Sequence, residues 1–508
     1  MKPIRKVLVA NRGEIAIRIC RTLREMGIAS VALFSEADQD APHVLAADEA
    51  HLVGPAPAAQ SYLDQARVLD VAKRSGADAV HPGYGFLSES AAFAEKAIDT
   101  GFTWIGPTPA AIRALGDKLS ARALAIQVKV PVLPGTEKPT ADPAELRRAA
   151  DEIGYPVALK AAAGGGGKGM RRVNSGAEFE QALRLTQGEA KNAFGDDRIY
   201  LERWLDAPRH IEVQLLGDAS HVIALGERDC SIQRRHQKLV EETPSPALDD
   251  ARRKELLALA VRVARAGGYT NAGTAEFLMD RSGRFYFLEL NSRLQVEHPV
   301  TEMALGIDLV REQVRLASGE PLSMRQEDVV PRGAAIELRI YAEDSEAGFL
   351  PQAGTVRRLE LPQGPGVRCD FGVRPGGSVP IHYDPLIGKI IVWGEDRAQA
   401  LARASRALAE CVISGIPTSL LFHRWLVAQP AFLTGAYDTA FLANEFKGIT
   451  RVEDARDAED AAVLAALYAA TSRGRPRFSS SADDSNGSGE RSRWRTAGSI
   501  FPPPPRTR

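Results

Sequence analysis

The stretch Arg284-Phe285-Tyr286-Phe287-Leu288-Glu289-Leu290-Asn291-Ser292-Arg293-Leu294-Gln295-Val296-Glu297-His298-Pro299 decides how the chain is read. Its first part is apolar and rich in aromatic, strand-preferring residues, which predicts a β-strand. Strand side chains alternate with period two, so Glu289 and Asn291 share one face at the strand's end. Carboxylate and amide oxygens suit a hard cation such as Mg²⁺. Arg293, Gln295 and Glu297 continue the spacing by two. One extended segment would then point all five polar groups the same way. Burying five such groups without a task is costly, so the chemistry is expected here.

Working outward, residues 272–279 predict a second strand that carries one acid, Glu276, among apolar neighbours. The turn at Asp280-Arg281-Ser282-Gly283 predicts a hairpin that sets Glu276 beside Glu289. Two carboxylates side by side repel, and a cation between them resolves the conflict. Further upstream, residues 155–160 predict a strand ending in Lys160, followed by the loop 161–170 with four consecutive glycines, Gly164 to Gly167, and Lys168. Glycine lets backbone N–H groups approach phosphate oxygens closely. The loop lacks the Gly-Lys-Ser/Thr and following helix of a Walker A motif. Residues 199–205 and 208–214 predict two more strands, with Glu202 suited to an adenine edge. Taken alone, His210 reads as a structural histidine, Lys118 as a solvated lysine heading an Ala-rich helix, and the charge-dense run 227–238 as a solvated loop.

The N-terminal region reads as strand 7–10, a helix with Ile15, Ile19, Leu23 and Met26 at helical spacing, and strand 31–34. This β-α-β unit opens a doubly wound sheet. A single glycine, Gly13, follows the first strand, so no dinucleotide fingerprint is present. The loop 81–89, rich in Gly and Pro at a strand's end, reads equally as a ligand loop or as a demanding connection. From Arg332 the pattern changes to short strands at 335–341, 354–361, 367–371 and 387–393, then a helix from about 397 to 411. That predicts a third, α+β region. Beyond about Arg473 the chain is Ser, Gly, Arg and Pro rich, cannot bury a core, and is expected to be disordered.

Composition sets the outer bounds. The 508 residues allow roughly three domains. A net charge of −1 supplies no field toward nucleic acid or membrane. Cys20, Cys230, Cys369 and Cys411 form no Cys-x-x-Cys pair, which argues against a disulfide framework or zinc site. A reducing, cytoplasmic compartment is expected. The apolar run 7–10 is too short for a signal peptide or a membrane span.

The order strand-lysine, glycine loop, acid in a strand, then acid-x-Asn resembles an ATP-grasp ligase. Residues 81–89, 160–170, 227–238 and 295–302 together resemble the biotin carboxylase family, over roughly 3–446. The fold implied is α/β and α+β multidomain. It comprises a Rossmann-like pre-ATP-grasp domain (1–117) and an ATP-grasp domain (118–330) with a glycine-rich lid at about 132–203. A biotin carboxylase C-terminal domain (331–446) follows, then a helical extension with a disordered tail (447–508).

The activity implied is ATP-dependent carboxylation of biotin on a carrier protein. Bicarbonate is first phosphorylated to carboxyphosphate, and the CO₂ unit then passes to the biotin ureido nitrogen. This is the first half-reaction of an acetyl-CoA, acyl-CoA or pyruvate-type carboxylase, with fatty acid biosynthesis as one setting. By motif position, the resemblance assigns Lys118, Lys160, Gly166, Gly167, Glu202, Arg203, Trp204, Leu205, His210, Gln233 and His236 to ATP. Glu276, Glu289 and Asn291 would hold Mg²⁺ or Mn²⁺. Lys238, Arg293, Gln295 and Val296 would bind bicarbonate. Glu297 would be the base, Arg339 would stabilise the biotin oxyanion, and Tyr84 would lie near the biotin ring. On this reading Lys118, His210 and the charged run become functional.

The chain departs from the family pattern at Ala163, Arg203, Leu290, Ser292 and Ser419, which bears on affinity and not on reaction class. Residues 435–439 lean toward the acyl-CoA or pyruvate carboxylase branches. The chain has no Met-Lys-Met biotin-attachment motif, so a separate biotin carboxyl carrier protein and a carboxyltransferase are expected, with a homodimer as the family form. The rival readings are another ATP-grasp carboxylate–amine ligase and a catalytically silent subunit. The first has no reason to keep Lys238, Arg293, Gln295, Glu297 and Arg339 together; the second predicts a lost metal ligand or base, and none is lost.

Overall fold

Val7, Leu8 and Val9 are wholly buried, which fixes β1 (Lys6–Val9) at the centre of the first sheet. A computed structural model describes residues 3–162 and 169–448. Around β1 lie β2 (Ala29–Ser35), β3 (Glu49–Gly54), β4 (Ala79–His81) and β5 (Thr103–Trp104). Their order is β3-β2-β1-β4-β5, and every pair is parallel. The doubly wound unit expected from the sequence is therefore present. The helix Gly13–Glu25 packs Ile15, Ile19 and Leu23 against it.

A small antiparallel sheet follows, β7-β6-β8, built from β6 (Val157–Ala161), β7 (Met170–Val173) and β8 (Ile199–Arg203). It has its own apolar core, including Leu146, Leu159, Phe179 and Leu201. The glycines Gly166 and Gly167, with Ala163 and Lys168, lie outside the described residues, as does the tail beyond Gly448.

The largest sheet has eight strands. Its first six run in the order β13 (Phe285–Asn291), β12 (Asn271–Met279), β9 (Arg209–Gly217), β10 (Val222–Arg234), β11 (Gln237–Thr243) and β14 (Ala334–Tyr341). The strands Leu386–Gly394 and Val367–Phe371 complete it. Residues on both sides of the expected boundary at 330 thus contribute to one sheet, joined where β11 pairs with β14. Two further readings change. The run 227–238 is no solvated loop: most of it belongs to β10, whose residues 222–233 are buried, and it turns back at Arg235 and His236 into β11. The second change concerns the deciding stretch. β13 ends at Asn291, and Glu297 is the N-cap of the helix His298–Leu305. The five polar groups therefore do not share one extended strand.

Candidate active site

The hairpin of β12 and β13 builds one end of the site. Its register sets Glu276 opposite Glu289 and Thr274 opposite Asn291. One residue, Leu288, is extra on β13, because Phe277 pairs with Phe287 while Glu276 pairs with Glu289. Such a bulge re-aims side chains. Strict alternation from Phe285 and Phe287 would send Glu289 into the core. With the bulge, Phe285, Phe287 and Leu290 pack in the core while Glu289 and Asn291 face the site. The Phe277 and Phe287 rings meet edge to face, 5.6 Å apart, anchoring the hairpin by apolar burial of about 1.5–3 kcal/mol per ring.

Across the sheet the row continues. Glu276 is opposite Glu212 on β9, and Glu212 is opposite Arg228 on β10. Lys238 from β11 gathers this row: its Nζ donates to Glu212 (2.5 Å), Glu276 (2.8 Å) and Glu297 (2.7 Å). Arg228, fully buried, donates to the other oxygen of Glu212 at 2.5 Å. Glu297 is 0% exposed. Its second oxygen accepts from Arg339 at 3.0 Å, and Arg339 also pairs with Glu241. Burial alone would raise the Glu297 carboxyl, but Lys238, Arg339 and Arg228 hold it well below the usual range. Burial likewise opposes ionisation of Glu276, and Lys238 with His210 overrides it, so that carboxyl too is lowered.

Glu276 is tied further by Asn291 Nδ2 (2.8 Å) and Gln295 Nε2 (3.2 Å). Arg293 donates to Gln295 Oε1 at 2.7 Å and Asn291 Oδ1 at 3.2 Å, and pairs with Glu89 at 3.1 Å. The irregular segment 292–297 thus brings to the site the groups that an extended strand was expected to align.

At the other end, Lys118 pairs with Glu289 at 2.9 Å. Lys160 pairs with Glu202, which Arg122 also holds at 3.2 Å. His210 lies 2.9 Å from Glu276 and 2.6 Å from Gln233. Burial pulls the His210 imidazole down, yet the Glu276 charge leaves it raised. Burial, Lys160 and His210 lower His236, which sits at the exposed hairpin turn. Three more expected groups follow Glu202 directly in the chain. Arg203 is exposed and Trp204 lies under Arg172, 5.4 Å from its guanidinium. Leu205 is half-buried just beyond the end of β8. The backbone N–H groups of Arg203 and Trp204 donate to Pro134 and Pro156. Tyr84 donates to Glu14.

These three regions match family models in sequence order. Residues 3–112 match the biotin carboxylase N-terminal domain, 117–325 the ATP-binding domain of the carbamoyl-phosphate synthase L chain, and 337–444 the biotin carboxylase C-terminal domain. The biotin carboxylase of Nostoc sp. is 52% identical over 438 residues, covering 86% of this chain and 98% of that one.

The chain belongs to the biotin carboxylase family.

Within this ATP-grasp ligase family, a pyruvate carboxylase subunit from Methanothermobacter thermautotrophicus is 49% identical over 445 residues, 87% of this chain and 90% of that one. The biotin carboxylase domain dimer of Hydrogenobacter thermophilus 2-oxoglutarate carboxylase, solved with MgADP, ADP and bicarbonate, superposes with a TM-score of 0.84. It is 43% identical and the match covers 87% of this chain and 98% of that chain. Members of the family thus occur as subunits of carboxylase complexes. Among the described residues, no helix is long and apolar enough to cross a membrane.

Sequence reasoning missed Glu212, Arg228, Glu241 and Glu89. For Glu212 the signal was available: His210, Glu212 and Gln214 are polar at alternate positions in an apolar strand, the same pattern that singled out Glu289 and Asn291. Arg228 was hidden because the run 227–238 read as charged surface, and the stretch holding Glu241 drew no reading. The donor set fits a magnesium or manganese ion. Glu276, Glu289 and Asn291 offer hard oxygens from facing strands, and each of the two acids is paired with a lysine, Glu289 with Lys118 and Glu276 with Lys238.

Proposed function

We propose that this chain carboxylates biotin carried on a separate carrier protein, using ATP and bicarbonate by way of carboxyphosphate. One observation carries the reading: Lys238 holds one oxygen of Glu297 while Arg339 holds the other, beside the Glu276–Glu289 pair. A generic carboxylate–amine ligase has no use for a base flanked in this way.

ATP would be gripped by Lys118, Lys160, Glu202, His210, Gln233 and His236, with the glycine loop over its phosphates. Magnesium or manganese held by Glu276, Glu289 and Asn291 would neutralise phosphate charge as the phosphoryl group moves. Arg293, Gln295, Lys238 and the Val296 backbone would seat bicarbonate. Glu297 would then take its proton. In the resting site Glu297 is a weak base, because two cations saturate its oxygens. An anionic substrate that draws Lys238 and Arg339 toward itself restores that basicity, so the base is activated only when the site is filled. Arg339 would next face the developing oxyanion of biotin, with Tyr84 beside the ring. Residues 132–203, with a core of their own, suit a lid that closes over ATP and excludes water.

A biotin carboxyl carrier protein and a carboxyltransferase complete this reading, with a homodimer in the cytoplasm as the working form. Acyl-CoA or keto-acid specificity would belong to the transferase, which affinity purification of the native complex identifies. The test of activity is ADP release by the full chain with MgATP and bicarbonate, with and without free biotin. Bicarbonate-dependent turnover stimulated by biotin is expected. Its absence overturns the proposal.

A further inference from the structure

Lys389, on the strand Leu386–Gly394, is 0% exposed and far in sequence from every group assigned above. A lysine so buried must be paired. Its Nζ donates to the Val296 carbonyl at 2.7 Å and lies 3.3 Å from Glu14 Oε1. The same Glu14 oxygen accepts the Tyr84 hydroxyl. Glu14 itself is held in place: a Cβ on Gly372 would come within 2.6 Å of the Glu14 backbone nitrogen, so the C-terminal strands pack directly on this turn. Glu337 and Asp370 also face Lys389, with Arg368 opposing them, and the ammonium remains stabilised despite burial. A continuous chain therefore runs Tyr84, Glu14, Lys389, Val296. It starts at the residue expected beside biotin and ends at the backbone expected around bicarbonate.

We propose that Lys389 and Glu14 are positioning residues that tie the biotin side of the site to the bicarbonate side. Lys389 fixes the Val296 carbonyl and, through Glu14, orients the Tyr84 hydroxyl. This rests on the biotin carboxylase reading above. Neither residue touches the groups that grip ATP, namely Lys118, Lys160, Glu202 and His210, whose partners lie on other strands. The two loci should therefore separate in the Michaelis constants.

The experiment compares the full parent chain with Lys389→Met, Lys389→Arg and Glu14→Gln, using MgATP, bicarbonate and free biotin. Lys389→Met is expected to raise KM for both bicarbonate and biotin about tenfold, with KM for ATP changing less than about twofold. Lys389→Arg, which keeps the charge and a donor for the carbonyl, is expected to recover most of that loss. Glu14→Gln is expected to raise KM for biotin more than KM for bicarbonate. It also serves if Lys389→Met fails to fold. An unchanged bicarbonate KM in Lys389→Met, or a uniform rise in all three constants alongside a fall in Tm, overturns the proposal. So does an unchanged biotin KM in Glu14→Gln. Failure of the underlying reading looks different: the parent chain itself would show no bicarbonate-dependent ADP release.

Discussion

The eight-stranded sheet and the three-stranded sheet both present a lysine to a buried carboxylate, but they hold it differently. On the large sheet Lys238 binds three acids, each of which has a second cationic or polar partner. On the small sheet Lys160 meets, among the described residues, one acid, Glu202, shared with Arg122. The small sheet is joined to the preceding segment by isolated bridges at Gly135 and Thr140. One region is a densely cross-paired electrostatic frame. The other has a small apolar core of its own and a sparser set of charged contacts.

Four measurements break or sharpen this contrast. The largest effect is expected from Glu297→Gln. It keeps a polar group between Lys238 and Arg339 but removes the proton acceptor, and turnover should fall by about 10²–10⁴-fold. A variant as active as the parent in bicarbonate-dependent ADP release would remove Glu297 from the role of base. Next, Lys238→Met leaves three buried carboxylates short of a cation and should cost about 3–5 kcal/mol in chemical denaturation. Lys160→Met should instead raise KM for ATP about tenfold, with a smaller loss of stability because Arg122 still holds Glu202. Equal stability losses would erase the distinction drawn between the sheets. Third, chelating the metal should stop turnover, and Glu289→Gln should raise the magnesium needed for half-maximal rate about tenfold or more. An unaltered magnesium titration would take Glu289 out of the metal site.

The smallest effect is a slope of stability with pH. Burial lifts the Glu241 carboxyl from 4.5 to about 7, against the pull of Arg339 and with Glu297 adding to the lift. Between those values the folded chain holds a proton that the unfolded chain releases. The group's contribution is therefore full at low pH and is lost as pH rises through about 7. Glu241→Gln should flatten Tm against pH by roughly a degree or two over that window. Parallel profiles for parent and variant would reassign the proton.

Much of this was legible in the chain itself. Strand and helix periodicity gave the parallel N-terminal unit, and the turn residues after Met279 marked the β12–β13 hairpin, but its plain register would set Glu276 opposite Leu288 and only the bulge sets it opposite Glu289. The alternation that exposed Glu289 and Asn291 is equally local. The bulge at Leu288 left no comparable mark, since it shows only against the partner strand. Tertiary structure alone decided the rest. It buried residues 227–233, whose charges look like surface until Glu212, Thr274 and Thr301 are seen around Arg228. It made one sheet of strands on both sides of residue 330. It also brought Lys238, Glu297, Arg339 and Lys389 together from separate elements. Periodicity encodes a residue's own strand and face. Which strands become neighbours is set by the burial of whole apolar faces against one another, a long-range sum that no short window of sequence contains.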